Sequence, residues 1–344
     1  MAAFTAIDDA GVYFKTVIYS GDDGTQAITG VGFQPDFLWE AKRSATGNKY
    51  IFDSVRGVGG AAEQLETSST AGESQQANMI QSFDSDGFTQ GSDMNASGTN
   101  FVAWNWKCGT TSGVDFSPGD LTPSSYSINA DSGVGIYVWA GTNTADQTMC
   151  HGLGAVPKMM IVKGTSESYN WYVYHASMGP TKSLKLNATT AQETATQYWQ
   201  DTAPTSTLYT MGTYLNTTTT ALITYIFTEK QGYSKFGSYE GTGDADGAYI
   251  YTGFRPAFLL TKNIDAAGYD WYIFDNKRDG INPKNWNMFV NATDAEGSTE
   301  RVELLSNGFK CITAGTPNSA HTYIYAAFAE SPFVNSSGVP TNAR

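Results

Sequence analysis

The feature that most narrows what this chain can fold into is a pattern that occurs three times. Gly32-Phe33-Gln34-Pro35-Asp36-Phe37-Leu38 returns as Gly253-Phe254-Arg255-Pro256-Ala257-Phe258-Leu259, and more weakly as Gly154-Ala155-Val156-Pro157-Lys158-Met159-Met160. Each leads into an apolar run with a lysine at its end: Lys42, Lys163 or Lys262. After a polar turn come Tyr50-Ile51-Phe52-Asp53, Tyr172-Val173-Tyr174-His175 and Tyr272-Ile273-Phe274-Asp275. Phe88, Tyr209 and Phe309 follow the three prolines by 53, 52 and 53 residues. Closing apolar runs begin at Phe101, Leu222 and Tyr323, and opening segments end at Gly21, Gly141 and Gly241. Such fixed spacing marks a repeat architecture in which each copy is one structural unit.

Within a copy the segments are short, aromatic or β-branched, and bounded by Gly, Pro, Asn or Asp, which is strand punctuation. The runs before Lys42 and after Asn95 are apolar on both parities, as suits strands covered on both faces. The prolines sit just before their strands, where a missing N–H costs no ladder bond. Helical periodicity is nearly absent, residues 190–196 offering one turn at most. The expected fold is all-β: three tandem antiparallel β-sandwich repeats, jelly-roll-like. The expected bounds are 1–108, 134–232 and 233–333, with a Gly/Ser/Pro-rich linker at 109–133 and a polar tail at 334–344.

Charge limits the partners. Lys plus Arg number 20 against 33 Asp plus Glu, a net charge of -13, which argues against nucleic acid. No stretch reaches the roughly 18 apolar residues of a membrane span, so no membrane insertion is expected. The start, Met1-Ala2-Ala3-Phe4, has no basic region and no apolar run, and reads as no secretory signal. Cys108, Cys150 and Cys311 are odd in number and far apart, and read as reduced, buried thiols of a chain folded in a reducing cytoplasm.

The inventory for chemistry is short. His151, His175 and His321 are the only histidines, and none has metal-ligand spacing. No nucleophile elbow or phosphate loop occurs. The paired carboxylates Asp22/Asp23, Asp84/Asp86 and Asp244/Asp246 lie in Gly-flanked turns, where Asp caps its own backbone. Catalysis or calcium ligation by them is the alternative. Arg56 and Arg278 recur after Phe-Asp, and reading them as exposed ion pairs gives each about 0–1 kcal/mol. No catalytic residue, metal or cofactor is therefore expected, and no enzyme. The remaining lead is loop aromatics, as partner or glycan contacts or else core: Tyr169, Trp171, Trp199, Tyr269, Trp271 and Trp286.

Four segments carry a family resemblance: Gly32 to Trp39, Phe52 to Gly57, Ser82 to Thr89 and Phe101 to Lys107. With the ending Tyr323 to Phe333, they resemble a repeat of tailed phages, especially marine ones. Such proteins are described as uncharacterised or as tail-fibre-like virion components. The strand order is also similar to SPRY and concanavalin-like jelly rolls. The resemblance implies a non-enzymatic virion protein, a tail fibre, appendage or host-attachment component. Head decoration and recognition of host surface carbohydrate are the alternatives. It also implies other virion proteins as partners, and a homo-oligomer, trimeric by analogy with phage fibres.

Overall fold

Strands that are apolar on both parities need cover on both faces, and the fold supplies it from two directions. A computed structural model describes residues 5–58, 62–217 and 221–342. The first four residues, where the absence of a secretory signal was read, and the last two of the tail lie outside the described residues. The chain is nearly all β, in several antiparallel sheets.

One strand order recurs in the three main sheets. Opening strand, closing strand, proline-led strand, tyrosine-rich strand and outer strand lie side by side in that order. In the first copy these are Phe14–Ser20, Asn100–Trp106, Phe37–Lys42, Lys49–Asp53 and Ala62–Glu66. The second copy has Val134–Ala140, Ala221–Thr228, Pro157–Gly164, Tyr172–His175 and Lys182–Lys185. The third has Ser234–Glu240, Thr322–Pro332, Phe254–Asn263, Trp271–Asp275 and Lys284–Phe289. Smaller pairings contain the late landmarks: Gln26–Thr29 with Gly87–Gln90, Gln147–Cys150 with Leu208–Met211, and Tyr249–Tyr251 with Gly308–Cys311.

The period of two sorts each strand between two environments. Phe37 and Trp39 enter one core shared by all three copies, while Leu38 enters an outer cluster of the first copy alone. Trp106, Phe227 and Phe328, which hold the same place in their closing strands, meet as a triangle. Their ring centroids are 6.4, 5.3 and 5.9 Å apart. The copies thus surround a common aromatic axis rather than lying as beads. Burial of each such ring stabilises by roughly 1.5–3 kcal/mol.

Two local readings differ from the expectation, and the polar tail is held in place. Residues 109–133 are not a free linker: Phe116 and Leu121 are buried in the second copy's outer cluster, and Ser125–Asn129 pairs with Val134–Ala140. Glycine and proline content masked two apolar anchors there. Pro256 lies inside its strand, at a bulge that absorbs the missing donor. The tail is tied down through Asp8, which accepts the Ser336 N–H at 2.6 Å, and through Asn342, which donates to the Pro332 carbonyl at 2.9 Å.

Candidate functional site

Many buried polar groups of this protein lie at three seams between copies, and the seams share one backbone bond. Glu73 N–H donates to Thr165 O of the second copy at 2.7 Å. Gln192 N–H donates to Ile264 O of the third at 3.0 Å, and Glu296 N–H to Arg43 O of the first at 2.9 Å. The first copy therefore grips the second, the second the third, and the third the first. Head-to-tail contact that closes on itself is the rule for rings.

Asp53, His175 and Asp275 sit in the same place in this cycle. Asp53 Oδ1 caps its own turn through Val55 N–H and Arg56 N–H, while Oδ2 takes the Tyr225 hydroxyl at 2.8 Å. Asp275 does likewise, capping with Lys277 N–H and Arg278 N–H and accepting Trp104 Nε1–H at 3.1 Å. At the remaining seam the facing side chain is Ala326, which has no donor, and the polar atom that meets this position is the Tyr325 carbonyl oxygen. A carboxylate would face an acceptor there. His175 serves instead: Nδ1 accepts the Ser177 N–H, so Nε2 carries the proton and donates to Tyr325 O at 3.1 Å. Burial lowers its pKa to about 4, which keeps the ring neutral.

The two Asp–Arg pairs are not the exposed pairs that the sequence suggested. Arg278 and Asp275 side chains are both fully closed to solvent, and Arg56 and Asp53 nearly so, at 2.7 Å. Burial pushes the Asp275 pKa up, but the Arg278 charge and the backbone N–H bonds more than offset it, leaving it below the usual value. Removing one partner of a buried pair costs about 3–5 kcal/mol, because the other charge is stranded.

Two of the candidate aromatics complete the seams from the other side. Trp171 Nε1–H donates to Glu66 O and Ser69 O of the first copy, and Trp271 Nε1–H to Lys185 O of the second. Both rings are closed to solvent, so neither offers a face to a sugar. The first copy places Lys49 here, whose Nζ reaches Ala292 O at 2.7 Å and Asp294 O at 2.6 Å in the third. Lys262 pairs across its hairpin with Trp271, whereas Lys49 pairs with Ala41. The first copy has thus moved its buried lysine from one strand to the next, and Lys42 is not the counterpart of Lys163 and Lys262. Burial lowers the pKa of Lys49, Lys163 and Lys262 to about 8.

The other candidates scatter. Trp199 is buried against Tyr174, ring centroids 5.5 Å apart. Tyr169 bonds the Tyr214 carbonyl, and Tyr269 the His321 ring at 3.3 Å. Trp286 is exposed, with the Arg43 guanidinium 4.7 Å from its ring centroid. The six do not form one face. Of the Gly-flanked carboxylates, Asp22 and Asp244 cap their own turns through the Gly24 and Asp246 N–H groups, whereas Asp86 and Asp23 tie other loops through the Gly30, Gly32 and Ser97 N–H groups, and Asp246 pairs with Lys310.

Sequence reasoning missed two features. Asn95, Asn216 and Asn318 are one fully buried latch in three copies, donating from Nδ2 to Gly24 O, Thr144 O and Asp244 O. Gly21, Gly141 and Gly241 lie against that latch, where an added Cβ would come within 1.7–2.3 Å of a carbonyl oxygen. The recurring glycines were the available signal. The second feature is a polar cleft of about 460 Å³ in the first copy, with Lys42, Tyr50, Gln64, Glu66, Asp93 and Met94 in its walls. Beneath it lies Glu40, wholly buried, its pKa raised by desolvation to about 8 although the Tyr19 hydroxyl opposes this. The Tyr19 proton has two acceptors within reach, Glu40 and Met94 O. Among the described residues no three His, Cys, Asp or Glu side chains converge as metal ligands do.

A family model described as a domain of unknown function, DUF7483, matches residues 9–332. No curated protein and no solved structure matches the chain. A single model running through all three copies and both joins accords with a ring whose seams need every copy, and the chain belongs to the DUF7483 family.

Proposed function

We propose that this chain is a non-enzymatic structural protein of a tailed-phage virion, a tail fibre, appendage or host-attachment component. Its three copies are tandem jelly-roll-like β-sandwich modules fused into a ring. The observation that carries the reading is the seam chemistry. His175, Trp171, Trp271 and both Asp–Arg pairs bond to the neighbouring copy or to their own turns, which makes a rigid block of them rather than a reactive centre. The phage setting draws its support from the sequence resemblance. A rigid block with three outward faces engages other virion proteins, and a second copy of itself, at several points at once.

Head decoration is the second reading, favoured by the ring: one chain with three outward edges suits a shell position surrounded by three neighbours. Gold-labelled antibody against this chain, on intact purified particles viewed by electron microscopy, tests both. Label at tail tips or fibres supports the first reading and label on the head the second. Unlabelled particles would sink the virion reading.

A further inference from the structure

The three copies act as controls for one another, and the cleft of the first is where they part. In the second copy the ring of Tyr172 is covered by Tyr198, centroids 5.1 Å apart, and by Tyr169 at 5.2 Å. In the third, Tyr272 is covered by Phe289 at 5.0 Å and by the Arg301 guanidinium at 5.2 Å. Tyr50 is the same residue of the first copy, pairing with Glu66 where Tyr172 pairs with Lys185 and Tyr272 with Phe289. Its space is left open. The polar character extends inward: buried Glu40 stands where the other copies have Val162 and Thr261. Gln64, also buried and in the cleft wall, has an Oε1 without a partner. A fold that closes this space twice with aromatic packing does not need the opening for stability, and such local departures mark function.

We propose that this cleft binds a short neutral saccharide. Its volume of about 460 Å³ falls in the range of small-molecule sites. Sugar hydroxyls both donate and accept. They meet carboxylates at Glu66 and Asp93, amides at Asn48 and Gln76, and an ammonium at Lys42. The half-buried Tyr50 ring supplies apolar wall for the C–H face of a sugar ring, while Met79 and Met94 lie buried behind it and close the cleft floor. Two carboxylates against one ammonium disfavour phosphate, sialic and uronic groups. The site gives a glycan reading a different address from the loop aromatics. It rests on the host-attachment reading for its biological setting alone, since the binding is a property of the isolated chain.

The purified full chain is applied to an array of neutral, sialylated and uronic glycans, and the best neutral hit is titrated by calorimetry. Gln76 and Asp93 are exposed at the rim, so Gln76→Trp plugs the cleft and Asp93→Ala removes one acceptor without touching the core. Neutral glycans retained by the native chain, lost in Gln76→Trp and weakened roughly tenfold in Asp93→Ala, are the expected result. Matching thermal melts show that both variants are folded. No neutral glycan retained, retention of acidic glycans only, or binding that survives the plug overturns the proposal. Glycan binding by a chain absent from particles would leave this site standing and remove the virion reading, and the converse pair of results would do the reverse.

Discussion

The axis side and the outer side of the three copies obey different rules. Toward the axis the copies share the Trp106–Phe227–Phe328 triangle and the three N–H to carbonyl grips of the seams, with exchanges only at His175 and Lys49. On the outer side they diverge. The second copy packs Tyr198, Trp199 and Tyr209 there, whereas the first has a thinner cluster containing Met79 and Met94, beside an open polar cleft. Ring closure constrains only the surfaces that meet. Each outer face is left to vary, and one of them has departed furthest.

The largest effect that would break this contrast lies at a seam. Trp271→Ala removes a buried ring and strands the Lys185 carbonyl, and is expected to cost about 3–5 kcal/mol in denaturant unfolding. A loss under about 1 kcal/mol would mean that the seams do not hold the molecule together. Next is Glu40, whose polar burial belongs to the outer side of the first copy alone. With its pKa raised by burial to about 8, the folded state keeps a proton between pH 4.5 and 8 that the unfolded chain has lost. Stability therefore falls as pH climbs through that window. Glu40→Gln should stabilise by about 2–4 kcal/mol at pH 8 and change little at pH 4, read from melts across pH. An equal gain at both pH values would show that the carboxyl is not held protonated.

His175 works in the opposite direction, on the axis side. Its pKa, lowered by burial from 6.5 to about 4, makes the folded state the poorer proton binder in that interval, so stability is lost as pH falls from 6.5 to 4. The loss attributable to it is about 2–3 kcal/mol. His175→Ala costs about 1 kcal/mol at neutral pH and flattens that part of the acid limb. An unchanged acid limb would remove His175 from the account. The smallest effect is expected for Trp286→Ala, an exposed ring in contact with Arg43: at most about 1 kcal/mol, measured in the same titration.

The repeat, the strands and their punctuation were legible because each copy writes them in side chains: proline before a strand, an apolar run on both parities, glycine at a close approach. Closure into a ring was not. The seam acceptors are mostly backbone carbonyls, such as Glu66 O, Lys185 O and Ala292 O, which carry no residue signature. The donors were visible but ambiguous, since Trp171 and Trp271 look alike whether they face solvent or a neighbour. The lysine shift from the Lys262 place to Lys49 defeats alignment by residue type. The cleft was the least legible feature, because it is defined by what Tyr50 lacks above it.

The contact between Lys49 and its carbonyl partners has a consequence for synthesis. Those partners, Ala292 and Asp294, come 243 and 245 residues later in the chain. At roughly 5–20 residues per second, the emerging first copy waits on the order of 10–50 s before the ribosome delivers the groups that satisfy it. Over that interval Phe37, Trp39 and Trp106 have no third face to pack against. A truncated chain ending before the third copy keeps that condition permanently, and the same unfilled aromatic surface on neighbouring nascent chains is where cross-chain assembly would begin.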